Sequence, residues 1–296
     1  MRTSVVLGEW LDRPIGADFD VALLADRLGY EQVWVGEMAK LDAPSMATAI
    51  VARTEQIEPV LGPLPVTVRT PVQIALAVAT VASLGRRTHV ALGTSSDVVA
   101  RWHGVDRIGA AARLASHRQQ LTELFAGEQV NGFRLRERIV PPTITVAAFG
   151  PKAVEAARPA DRMVLNMVSV DTAARLAVHH PDTAVWLAAS IDPTPEERRW
   201  LTRGFVGYLA APGYGEMFTE AGFGELVEFA RTRPHPREVA ERIPDELLDV
   251  VALTGSEAHV RDRIDAYAAA GITEVCIVPP PLDQPSGRRT VEALAP

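Results

Sequence analysis

Residues 143–170, TITVAAFGPKAVEAARPADRMVLNMVSV, decide how the rest of the chain is read. Thr143 to Phe149 is β-branched and apolar, and short enough for a buried barrel strand. Gly150 breaks the run. Pro151 suits the first position of a helix, where its missing N–H costs nothing. Lys152 adds a positive charge beside the free N–H groups of that helix start, an arrangement that attracts anions such as phosphate. Pro159 ends the helix and Met163 to Val168 begins the next strand. The stretch is a β-α-β unit with a candidate anion site where its first strand ends.

The same grammar extends in both directions. Upstream, Ser4 to Leu7 reads as a strand ending at Gly8-Glu9-Trp10. Asp18 to Leu28 is an amphipathic helix stopped by Gly29, and Gln32 to Val35 is a strand ending at Gly36-Glu37. Met46 to Thr54 is helical, Ile57 to Leu64 extended, and Val72 to Leu84 helical after Pro71. His89 to Leu92 is a strand followed by Gly93-Thr94-Ser95-Ser96-Asp97, and Ala111 to Phe125 is a long helix. Downstream come a strand at Ala184 to Ala189, a helix at Val260 to Ala270 and a strand at Val275 to Val278. Residues 193–248, with a helix at Pro195 to Leu209, break the rhythm and read as a helical insertion over a barrel, too small for a core of its own. Asp249 to Leu253 is a ninth extended piece, one too many for eight strands, and reads as a lead-in to the last helix. Parallel strands alternating with helices give an α/β fold, a (β/α)8 TIM barrel with a helical insertion late in the chain. Residues 1–296 then form a single domain. No Gly-x-Gly-x-x-Gly follows the first strand, which disfavours a dinucleotide-binding sheet.

Composition narrows the function. The 296 residues carry a net charge of −7, with 47% apolar and 23% charged residues. An acidic balance argues against nucleic acid as a partner. Cys276 stands alone, so no internal disulfide and no cysteine-rich metal site is expected. The first ten residues lack the apolar core of a signal peptide, and Val72 to Leu84 is too short to cross a bilayer. The expectation is a cytoplasmic protein with no membrane partner.

Active sites of such barrels lie at the strand C-termini. Those ends give Glu9, Glu37, Gly62-Pro63-Leu64, Thr94-Ser95-Ser96, Gly150-Pro151-Lys152, Asn166 and Thr254-Gly255-Ser256. Glycine lets backbone approach a flat ligand, and hydroxyls and amides suit phosphate. Each piece also has a plainer reading. Gly-Pro is a common turn, Ser96 an N-cap, Glu9 and Glu37 solvated carboxylates, His103 a packing histidine and His179-His180 a surface pair. No His-Glu-x-x-His, His-x-His or nucleophile elbow is present, so no metal site and no serine hydrolase is expected.

The succession of pieces resembles the bacterial luciferase-like monooxygenase superfamily. Within it, the chain resembles the deazaflavin-dependent oxidoreductases that use coenzyme F420, relatives of methylene-tetrahydromethanopterin reductase. Gly29-Tyr30-Glu31-Gln32-Val33-Trp34-Val35-Gly36-Glu37, Leu61-Gly62-Pro63 with Val68-Arg69-Thr70-Pro71, and Val90-Ala91-Leu92-Gly93-Thr94-Ser95 with His103-Gly104-Val105 carry the likeness. So do Val146-Ala147-Ala148-Phe149-Gly150-Pro151-Lys152, Gly207-Tyr208-Leu209 with Pro212-Gly213-Tyr214, and Leu253-Thr254-Gly255-Ser256. The resemblance implies a flavin or deazaflavin at the strand ends. Its phosphate and tail would be held by Gly150, Pro151 and Lys152, by Thr94, Ser95 and Ser96, and by Gly255 and Ser256. A cis peptide at Gly62-Pro63 would buttress the ring. Many relatives place a histidine after the acidic residue that ends the second strand; here the pair is Glu37-Met38.

The resulting expectation is an oxidoreductase, unsuited to sugar-phosphate substrates, that transfers hydride between coenzyme F420 and a small organic substrate. Glu37 or Glu9 would be its proton carrier. The alternatives are an FMN-dependent monooxygenase supplied with reduced flavin, and a non-catalytic flavin-binding or scaffold barrel. The resemblance also implies a homodimer.

Overall fold

A computed structural model describes residues 1–9 and 12–296. Trp10, read from sequence as part of the first strand end, lies outside them. Eight parallel strands form the ring: β1 (Arg2–Leu7), β2 (Gln32–Val35), β3 (Glu58–Pro65), β4 (His89–Gly93), β5 (Ile144–Ala147), β6 (Arg162–Asn166), β7 (Thr183–Ile191) and β8 (Glu274–Val278). They pair in the order β7-β8-β1-β2-β3-β4-β5-β6, and β6 pairs again with β7 to close the barrel. Helices follow the strands, among them Ile15–Arg27, Ala43–Val51, Pro71–Ala82, Ala110–Phe125, Pro151–Ala157 and Val170–Ala177. Several start where a side chain satisfies their free N–H groups. Thr70 and Gln73 form a capping box ahead of Pro71, and Thr194 and Glu197 do the same ahead of Pro195. No helix among the described residues is long and apolar enough to cross a membrane.

The ninth extended piece is half helix and half strand. Asp249 to Val251 closes the helix Glu246–Val251, and Ala252–Gly255 is a true strand. It pairs in parallel with Ala188 to Ile191, the upper end of β7. β7 is nine residues long and outruns β8, whose pairing with it stops at Ala188. The overhang needs hydrogen-bond partners, and the added strand supplies them without entering the ring. Helices fill residues 195–251, but the expected helix Pro195 to Leu209 divides at Gly204 into Pro195–Arg203 and Val206–Leu209. A small hairpin, Gln129–Val130 with Phe133–Arg134, and a last helix, Pro285–Ala293, were not read from sequence. His180 is buried, not on the surface: its Nε2 lies 3.0 Å from the Ala160 carbonyl and its Nδ1 accepts from the Asp182 N–H. His103, expected to pack, is exposed.

Alternate residues of each strand face inward, as the period of two requires. Outward residues such as Val5 and Leu7 join the shell against the helices, while Val6, Trp34, Val60, Ala91, Val164, Trp186 and Cys276 form the inner cluster. Trp34 and Trp186 meet edge to face at 5.5 Å. Below this layer the interior is polar. Glu274 is fully buried and Arg162 is 2% exposed. The two pair directly. Glu274 also accepts from Ser4 Oγ at 2.6 Å and Trp34 Nε1 at 3.2 Å. Arg162 donates to Thr145 Oγ1 and to Gln32 Oε1, and lies 4.8 Å from the Trp34 ring centre. Nearby, His89 Nδ1 accepts the Thr143 N–H, so its Nε2 carries the proton offered to Glu58 at 2.8 Å.

Removing one member of this pair would leave a buried charge unmatched. Glu274→Gln is expected to lower unfolding free energy by about 3–5 kcal/mol, read by urea denaturation. The double variant Arg162→Met/Glu274→Leu should lose less than Glu274→Gln alone, since no charge is then stranded.

Candidate active site at the barrel mouth

A cavity of about 410 Å3 opens at the strand C-termini. Glu9 after β1, Met38 after β2 and Asn166 at the end of β6 contribute to it, with Trp186 and Ala188 of β7 and Val278 of β8. Trp200, Phe205 and Tyr208 reach it from the inserted helices. Larger grooves lie elsewhere, including one of about 650 Å3 between Ile15, Phe19 and Met46, but that one sits between outer helices and carries little polar chemistry.

Part of the surface of Glu9 faces the cavity, yet the surrounding protein displaces bulk water. This desolvation pushes the carboxyl up to about 7. Among the described residues it has no hydrogen bond and no ion pair to offset that effect. Glu37 stands in a different setting. Arg69 grips it in a two-pronged pair, Nε to Oε1 at 2.6 Å and Nη2 to Oε2 at 2.8 Å. The Ala43 N–H donates to Oε2 at 2.9 Å. Arg69 also pairs with Asp42, the N-cap of helix Ala43–Val51. Hydrogen bonding to Glu37 raises the guanidinium above its ordinary value. Glu37 therefore ties the end of β2 to the next helix and to the loop after β3, and it does not line the cavity.

Behind Glu9 and Trp186 the strand ends pack closely through glycines. A Cβ on Gly36 would lie 2.9 Å from the Leu7 carbonyl and 3.6 Å from both Glu9 Oε1 and the Trp186 ring. One on Gly93 would lie 3.1 Å from Pro63 Cβ and 3.7 Å from Ala147 Cβ. At Gly62, with φ +110°, it would overlap Leu64 N and Ala91 O. The Gly62–Pro63 peptide is cis, and the β3–β4 register shifts between Leu61 and Leu64. All three glycines are buried, and they let neighbouring strand ends pack closer than a side chain would allow.

The family model for luciferase-like monooxygenases matches residues 12–274. The chain belongs to the luciferase-like monooxygenase family. The chain is thus an oxidoreductase of the luciferase-like kind. No curated protein matches the sequence. Among solved structures, it is similar to the coenzyme F420 dependent tetrahydromethanopterin reductase from Methanopyrus kandleri. Identity is 15%, coverage 99% of this chain and 97% of that one, and the TM-score 0.78. It is also similar to an F420-dependent secondary alcohol dehydrogenase, solved with an F420-acetone adduct (15% identity, 99% and 97% coverage, TM-score 0.72). A third is the oxygenating constituent of 3,6-diketocamphane monooxygenase from Pseudomonas putida, in complex with FMN (16% identity, 100% and 97% coverage, TM-score 0.70). At these identities the likeness concerns the fold.

The other positions singled out in the sequence, Gly62, Pro63, Thr94 to Ser96, Gly150 to Lys152, Gly255 and Ser256, are not among the residues lining this cavity. β4 and β5 are neighbours, so Thr94-Ser95-Ser96 and Gly150-Pro151-Lys152 leave adjoining strand ends. Ser96 caps the helix Asp97–Trp102 through the Val99 N–H. Arg107, missed in the sequence, donates to the Thr94 carbonyl and to Thr94 Oγ1, both at 3.2 Å, and so brings a guanidinium to this loop. Gly150 precedes Pro151 with no side-chain cap, and Lys152 is exposed. Gly255 and Ser256 lie two strands further round, past Asn166, where Ser256 caps the helix Glu257–Ala269. Tyr208 and Trp200 were also missed as site residues. Both lie in the insertion after β7, and Tyr208 also belongs to the stretch Gly207-Tyr208-Leu209 that carries part of the family likeness.

Glu9→Gln should change stability in a pH-dependent way. An acid whose folded value exceeds its unfolded one favours folding less as pH rises between the two. Below about pH 4.5 the two proteins should be equally stable, since both carry a neutral side chain. At pH 8 the variant should be the more stable, by up to about 3 kcal/mol at 1.36 kcal/mol per pH unit. Thermal unfolding at pH 5 and pH 8 reads the difference.

Proposed function

We propose that this enzyme is a coenzyme F420-dependent oxidoreductase that moves a hydride between a deazaflavin and a small organic substrate. The observation that carries the reading is the Glu9 carboxyl, which lines the cavity without a polar partner among the described residues and is pushed up to about 7 by burial. Hydride transfer to a carbon–oxygen or carbon–nitrogen double bond needs a proton at the heteroatom. A group that titrates near neutral pH both gives and takes one. The deazaflavin, when bound, supplies the ring carbon that carries the hydride.

The chain supplies everything else. Gly62 and Pro63 support the ring. Thr94, Ser95 and Ser96, with Arg107 behind them, and Gly150, Pro151 and Lys152 hold the phosphate; Gly255 and Ser256 serve the outer part of the cofactor. Glu9 moves the proton. Glu37, spent on Arg69 and the Ala43 N–H, has a positioning role: it fixes the loop that presents Met38 to the cavity. A homodimer in the cytoplasm belongs to the same proposal, and light scattering that returned the mass of one chain would remove the dimer from it.

Parallel fluorescence titrations with F420 and FMN test the cofactor. F420 should saturate at micromolar concentration and FMN bind more weakly; tighter FMN binding with oxygen uptake would replace this reading by a flavin monooxygenase. Glu9→Gln should bind F420 like the parent while kcat falls by about 10²–10⁴-fold. Unchanged turnover would remove Glu9 from the chemistry.

A further inference from the structure

We propose that Tyr208 is the residue that recognises the substrate's oxygen, and that the cavity takes neutral, largely apolar compounds bearing one carbonyl or hydroxyl group. This rests on the cavity being the substrate site of the reading above.

The first argument is a hydrogen-bond account of the cavity wall. Asn166 Nδ2 donates to the Tyr208 oxygen in a long contact of 3.4 Å. The Asn166 carbonyl accepts from Tyr214 Oη at 2.9 Å. The Tyr208 oxygen thus acts as an acceptor towards the protein, and its own O–H has no acceptor among the described residues. A hydroxyl both accepts and donates, so the donor half is left for a ligand. Burial raises both phenols, so each keeps its proton across the working pH range. Tyr208 faces the same cavity as the unpaired Glu9. A substrate oxygen between them accepts from Tyr208 and exchanges a proton with Glu9.

The second argument is rigidity. Tyr208 meets the edge of Tyr214 at 5.0 Å and 70°, and Tyr214 stacks on Phe149 at 4.4 Å and 3°. Phe149 follows β5, so the inserted helices are locked to the barrel through this column of rings. A donor held in this way loses little freedom when it binds.

The third argument is charge. Met38, Trp186, Phe205 and Val278 make most of the wall apolar. The lining already holds two carboxyl groups, Glu9 and Asp12, the latter accepting from Trp200 Nε1 at 3.0 Å, so an anionic substrate would add further negative charge in a space poor in water. Among the described residues Arg203 is the one cation of the lining, and it is exposed.

Calorimetric titration of the full chain, with and without F420, uses three probes of one shape: cyclohexanone, methylenecyclohexane and cyclohexanecarboxylate. The parent should bind the ketone about tenfold tighter than the hydrocarbon, the effect of one neutral hydrogen bond, and the carboxylate weakest. Tyr208→Phe should erase the ketone preference and keep the hydrocarbon affinity. Tyr214→Phe, whose hydroxyl is spent on Asn166, should keep the preference. A structural role for Tyr208 would weaken ketone and hydrocarbon alike. A preference that survives Tyr208→Phe, a parent that prefers the carboxylate, or a parent that binds none of the three overturns the proposal. Loss of the preference in Tyr208→Phe from a chain that fails to bind F420 supports this inference while refuting the deazaflavin reading.

Discussion

A guanidinium and a carboxylate are shut inside the barrel, and the ring closes around them. Arg162 stands on β6 and Glu274 on β8, so their pair spans β7. Through Ser4, Trp34, Gln32 and Thr145 the same two charges reach β1, β2 and β5. In a space without water each of these bonds is strong, and each is costly to leave unmade. Specificity of register follows. A strand slipped by one residue would turn its polar side chain outward and strand the charge it had answered.

The interior is therefore graded along the barrel axis. Charged and polar side chains fill the bottom, Trp34 and Trp186 with small aliphatic residues fill the middle, and Glu9, Met38 and Asn166 line the cavity at the top. The grading separates two demands. Rigidity comes from the lower layers, while the upper one holds the cavity and a buried carboxyl. This division matches the general placement of stability and chemistry at opposite faces of such barrels.

Much of this was legible in the residues themselves. The strand Gln32–Val35 has the bounds its apolar run suggests, and the others differ by a residue or a few at their ends. Buried parallel strands are apolar on both faces and end in glycine, so they stand out. The failures have physical causes. The strand Ala252–Gly255 exists because β7 is long enough to overhang, a fact about a segment 64 residues earlier. The helix split at Gly204 lies in an insertion whose packing the local pattern does not fix. Glu9 and Glu37 look alike in sequence, each closing a strand after a glycine. What separates them is Arg69, 32 residues beyond Glu37.

That separation gives the stretch at residues 143–170 its place in the argument. It contributes Phe149 and Asn166, two points where the insertion touches the barrel mouth through Tyr214 and Tyr208. Gly213 makes the seat possible: a Cβ there would overlap the Phe149 ring, and its φ of +84° suits glycine. With the insertion seated, the cavity has a roof and Glu9 loses bulk water. Arg69 answers Glu37, while among the described residues no hydrogen bond or ion pair answers Glu9. Two adjacent strand ends thus carry the same side chain in opposite states of compensation: one is anchored by charge, the other raised toward neutral pH by its burial.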